Sequence, residues 1–73
     1  MSATDLDRRF IHIPPTPERV RLHEQVRAAC RDLAGVFDQA VPEGREKALA
    51  LTHLETAMFW ANAALARHSA PTP

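Results

Sequence analysis

The chain has a single cysteine, Cys30, so no disulfide can form within its 73 residues. A lone thiol fits a reducing cytoplasm better than a secreted scaffold, which at this size is normally stapled by several bridges. No Cys/His cluster has zinc spacing, and no metal or other cofactor is expected. The two glycines, Gly35 and Gly44, form no phosphate-cradling loop, and no Gly-x-Ser-x-Gly turn is present. Charge of one sign is also missing: nine Lys and Arg balance nine Asp and Glu. A general coat for DNA or RNA needs a basic excess, so a nucleic-acid polymer is not the expected partner. No apolar run approaches the ~20 residues of a membrane span. The stretch Met1–Arg9 is too polar for a signal peptide. These absences predict a cytoplasmic protein that is not an enzyme.

A lone domain of this length buries only about 60% of the surface its unfolded chain exposes and needs outside support. With disulfides and metals excluded, self-association is the expected support.

What is present has helical period. Thr16 suits an N-cap, Pro17 the first helical position, and Glu18 complements the helix dipole. Leu22, Val26, Ala29, Leu33, Val36 and Ala40 then recur by alternating steps of four and three, with Cys30 and Phe37 widening the stripe. Pro42 stops this helix. The short link Val41-Pro42-Glu43-Gly44 predicts antiparallel neighbours. Gly44 is expected as a weak N-cap or as the residue that takes an unusual backbone angle. The second helix has the seam Leu51, Leu54, Met58, Ala61 and Leu65. The predicted fold is all-α: an extended N-terminal arm over 1–15, an antiparallel two-helix hairpin over 16–68 with helices at 17–40 and 45–67, and a tail at 69–73.

The second helix has more apolar surface than one partner helix can cover. Ala50, Ala57 and Ala64 form a small-residue stripe, and the adjacent Phe59 and Trp60 point about 100° apart. At least one ring faces away from the hairpin seam. Either it packs in an oligomer, or the arm covers both rings.

Few residues suggest chemistry. Cys30 lies beside the seam and reads as a small buried apolar residue, not a nucleophile. Glu43 and Glu46 stand near a helix start, where carboxylates are simply stabilising. His23, Arg27 and Arg31, spaced by four, form a stripe that could grip phosphates. With Glu24 and Asp32 nearby, the stripe taken alone reads as an ordinary solvated face. Arg45 and Lys47 open the second helix, where an anion could bind or a network with Glu43 and Glu46 could form. His12, between Ile11 and Ile13, is either a ring that stacks on a nucleobase or a packing residue. Arg8, Arg9 and Arg67 are terminal positives, and His53 reads as a partly buried polar residue.

Three segments resemble a known family. Arg9-Phe10-Ile11-His12-Ile13-Pro14-Pro15-Thr16-Pro17-Glu18 is similar to the arm of the phage anti-CBASS cyclic-oligonucleotide sponges. The segment from Pro42 to Thr52 looks like their inter-helix turn and second-helix start. Leu54 to Arg67, with Met58-Phe59-Trp60-Ala61-Asn62-Ala63 as its most specific part, is similar to their second-helix end. The resemblance implies a homohexamer of helical hairpins that sequesters cyclic dinucleotides such as 3′,3′-cGAMP in pockets between protomers and, in some members, cyclic trinucleotides at separate sites on three-fold axes, without cleaving them. The phage thereby starves the host's CBASS effector of its signal.

By the same resemblance, His12 stands where the family has a base-stacking Tyr, and Ile13 where it has the following His. Arg27 best matches a phosphate-contacting basic residue, with Arg31 and His23 as neighbours. Arg67 corresponds to the trinucleotide site, and Phe10, Pro14 and Pro15 shape the arm. Trp60 and Asn62 are assigned to folding and assembly. The alternative function is a helical protein-interaction module without nucleotide affinity, supported by the apolar surplus of the second helix.

Overall fold

The computed structural model describes residues 2–68, and these contain three helices and no strand. Helix α1 spans Ala3–Phe10, α2 spans Pro17–Ala40 and α3 spans Arg45–Arg67. The second and third coincide with the predicted helices. The stretch 69–73, expected as a tail, lies outside the described residues.

The N-terminal expectation is corrected: the first part of the arm is helical. Ser2 caps α1 by accepting a hydrogen bond from the Asp5 N–H at 3.1 Å, and its hydroxyl donates to Asp5 Oδ2 at 2.9 Å. Arg8 and Arg9 in the last turn and Asp5 in the first both suit the helix dipole. With eight residues, α1 is too short to show a sustained period, so local capping carries a signal that periodicity does not. Extended backbone begins at Ile11 (φ −92°, ψ 131°) and continues through Pro14 and Pro15 to the Thr16 cap.

Helix α2 starts as the sequence indicates, with Thr16 Oγ1 accepting the Arg19 N–H at 3.1 Å and Pro17 in the first turn. It ends before Pro42, where the Val41 N–H still donates to the Phe37 carbonyl at 3.0 Å. Gly44 meets both of its expectations, since it is the N-cap of α3 and has φ 152°. An L side chain there would be strained, so glycine makes the tight reversal possible.

Helices α2 and α3 pack against each other, whereas α1 touches them only weakly. The shared seam uses Leu22, Val26, Cys30, Ala34 and Phe37 from α2. From α3 it uses Leu51, Leu54, Met58 and Leu65, all half-buried. This corrects the α2 stripe, because Ala29, Leu33, Val36 and Ala40 are exposed. A pattern of strict four-and-three steps drifts about 20° per heptad around a straight helix. The contact line therefore moves to Cys30, Ala34 and Phe37 in the second half of α2. Ala61 and His53 are likewise exposed, against expectation.

Among the described residues no apolar side chain is fully buried. Phe59 and Trp60 are 58% and 64% exposed, so the arm of the same chain does not cover them. The radius of gyration is 15.5 Å, against roughly 11 Å for a compact domain of this length. A chain with this much uncovered apolar surface has the composition of part of a larger core.

Candidate functional site

In an antiparallel hairpin the start of α2 and the end of α3 lie at the same end of the molecule. The extended segment from Ile11 to Thr16 crosses this end, and the three together enclose a cleft of about 400 Å³. The arm contributes His12, Ile13, Pro14, Pro15 and the Thr16 cap, the last turn of α1 contributes Arg8 and Arg9, and α2 contributes Arg19 and His23. From α3 come Ala63, Leu65, Ala66 and Arg67, with His68 following. Four arginines and three histidines line the cleft, and no carboxylate does.

Each part has a local cause. Two consecutive prolines hold the arm extended and keep His12 off any helix. Arg19 sits three residues after the Thr16 cap, where the unpaired N–H groups of α2 add partial positive charge. The Arg67 guanidinium carbon lies 6.0 Å from the centre of the Trp60 ring. That distance permits a cation–π attraction, which limits where the long side chain can reach. His23 is half-buried and its Nδ1 donates to Asn62 Oδ1 at 3.0 Å across the two helices. This bond gives Asn62 its place in folding.

The chemistry available is recognition of an anion. Guanidinium groups offer paired donors and permanent charge to phosphates, while His12 and the flat apolar arm offer a face for a base. Among the described residues no group of three His, Cys, Asp or Glu could hold a metal ion.

Of the residues that the resemblance links to ligand, His12, Pro14 and Arg67 come together in this cleft, with Pro15 beside them and His23 separated from its stripe partners. Arg27 and Arg31 line a different groove of about 370 Å³ on the flank of the hairpin, with Cys30, Leu54, Glu55 and Met58. Phe10 is outside the lining of the cleft and is 81% exposed. Arg8 and Arg9, read from sequence as terminal positives, and Arg19 and His68, which the sequence reading did not name, also line the cleft. Arg19 could have been found from the antiparallel link alone, because it places the first turns of α2 beside the last turns of α3.

The opposite end carries no comparable site. Lys47 is only 5% exposed and contacts the Asp38 carbonyl at 2.8 Å, Asp38 Oδ1 at 3.1 Å and Glu43 Oε1 at 2.6 Å. These partners, hydrogen-bonded Glu43 foremost and Asp38 next, hold its ammonium above the ordinary lysine pKa. Its charge is thus engaged in holding the turn.

No helix among the described residues is long and apolar enough to cross a membrane. No curated protein and no solved structure matches the chain. The model of the family described as Acb2/Tad1, hairpin domain, matches residues 2–66. This match takes in α1, the arm and nearly all of the hairpin, so the chain belongs to the Acb2/Tad1 hairpin-domain family of anti-CBASS sponges.

Proposed function

We propose that the protein is a non-catalytic sponge that binds cyclic dinucleotides such as 3′,3′-cGAMP, and cyclic trinucleotides, in the host bacterial cytoplasm and thereby blocks CBASS immunity. The observation that carries this reading is the cleft at the arm, where arginines from three helices converge with His12 and no carboxylate intervenes. A ring of phosphodiesters and bases needs such a mixture of fixed positive charge and flat surface. Membership of the family supports the sponge role.

In this reading His12 stacks on a base, Pro14 shapes the arm, and Arg67 takes a phosphate, with the trinucleotide as its ligand. The working form is a homohexamer. Exposed Leu33 and Val36 on α2 and Phe59 and Trp60 on α3 supply the surface for assembly. Phe10, Arg27 and Arg31 act on ligand bound between copies, since within one chain they stand apart from the cleft. Sequestration requires affinity and copy number, so no acid, base or nucleophile is required of the site.

Isothermal titration calorimetry against 3′,3′-cGAMP and the cyclic trinucleotide cA3, with light scattering for mass, tests the proposal. Binding at micromolar affinity or tighter by a species of six chains is expected. The absence of binding to both ligands, with an unidentified protein partner bound instead, would favour the interaction-module alternative.

A further inference from the structure

Of the histidines lining the cleft, His23 is the one whose ring is fixed. An amide oxygen can only accept, so the 3.0 Å contact with Asn62 Oδ1 places a proton on Nδ1. In the neutral ring Nε2 is then a bare lone pair, and among the described residues it has no hydrogen-bond partner. A lone pair repels a phosphate oxygen. A second proton turns the same nitrogen into a donor and adds a full positive charge.

We propose that His23 contacts the ligand and takes up a proton when an anion binds, with Asn62 as the positioning residue that holds the ring in the tautomer that needs that proton. The inference rests on reading the cleft as the cyclic-oligonucleotide site. The groups that face this space are Arg8 and Arg9 from α1, His12 from the arm, Arg19 from α2, and Arg67 and His68 from the end of α3. All are positive or can become so. Among the described residues that line the cleft none is negative, so the charge that compensates an imidazolium at His23 is the ligand's own phosphate. A phosphodiester keeps its charge through the neutral range, so any pH dependence of binding belongs to the protein. Affinity should rise as pH falls through about 8 to 5, the range in which histidine changes charge. Each coupled proton contributes at most about tenfold per pH unit.

The test is calorimetric titration of the intact oligomer with 3′,3′-cGAMP between pH 5.5 and 8.5, in pairs of buffers with different ionisation enthalpies. Wild type is expected to bind about tenfold more tightly at the acid end and to take up about half a proton per ligand near the midpoint. His23→Gln is expected to flatten the profile, whereas His53→Gln, exposed and outside the cleft, leaves it. Asn62→Asp places a carboxylate on Nδ1, favours the imidazolium before ligand arrives, and should move the midpoint to higher pH. A midpoint unmoved by this carboxylate would show that the group responsible for the profile is not the ring beside residue 62. Proton uptake by wild type is independent of how any variant folds. Binding without proton uptake, or a slope that survives His23→Gln, overturns this inference and leaves the sponge reading intact. No binding of 3′,3′-cGAMP at any pH overturns this inference, and no binding of cA3 either overturns the sponge reading as well.

Discussion

His23 Nδ1 and Asn62 Oδ1 meet at 3.0 Å across the hairpin, and this bond fixes the register of the two long helices at the end that carries the cleft. Lys47 and Asp38, 3.1 Å apart, do the same beside the turn. Both pairs are symmetric about the bond between Pro42 and Glu43, so α2 and α3 run in step from one to the other. With no apolar side chain fully buried, these polar contacts specify the pairing that a weak apolar seam leaves open.

Removing the first pair should loosen the hairpin. Asn62→Ala leaves His23 half-buried without its partner, and the expected loss is about 1–2 kcal/mol. Urea denaturation at neutral pH measures it, and an unchanged midpoint would show that the bond does not hold the helices together.

The second pair gives a pH signature. Glu43 and then Asp38 raise the Lys47 pKa in the folded chain. A raised pKa means that the stabilisation is complete below the unfolded lysine value of about 10.4 and is lost as pH rises through the folded value. The Lys47 contribution should therefore be present in full and independent of pH through the neutral range, and be lost in the alkaline range. Lys47→Met should be less stable at neutral pH and lack that component of the alkaline fall, as followed by thermal unfolding at stepped pH.

The two glycines should respond in opposite directions. Gly44→Ala places a side chain at φ 152° and should cost about 1 kcal/mol or more. Gly35 lies inside α2, where a Cβ would meet only the flexible end of Arg31 at 3.2 Å. Gly35→Ala should then gain up to about 1 kcal/mol from helix propensity. Chemical denaturation of both variants checks the pair.

Binding variants separate the cleft from the flank. Arg19→Ala and Arg67→Ala each remove a charged donor from the cleft and should weaken 3′,3′-cGAMP or cA3 binding about tenfold or more. Under the proposed hexamer, in which the flank groove meets ligand through a neighbouring copy, Arg27→Ala should weaken dinucleotide binding while the oligomer persists. Calorimetry of the three variants beside their masses tests these assignments. Unchanged affinity in Arg27→Ala would remove that residue from the site.

The hairpin was legible because its signals are local and redundant: Thr16 and Pro17 open α2, Pro42 ends it, and Gly44 starts α3. Helix α1 was not, since eight residues give capping a voice but periodicity none. The α2 seam was misread from Ala29 onward because regular four-and-three steps hide the rotation of a straight helix. His12, Pro14 and Arg67 were named through resemblance, and the fold brings them into one cleft. Arg19, in contrast, required the antiparallel pairing to be followed to its far end, where the same symmetry sets it opposite Ala66, next to Arg67. His23 was seen as part of a stripe with Arg27 and Arg31. Its partner on α3, and hence its separation from those arginines, became visible only in three dimensions.

The most direct test of the sponge account is to mix the purified protein with 3′,3′-cGAMP and with cA3, remove the protein by filtration, and quantify ligand before and after heat release. The account predicts that free ligand falls in proportion to added protein and that denaturation returns it quantitatively as the intact cyclic species. Ligand that stays free for both compounds, or that returns as linear product, would contradict it.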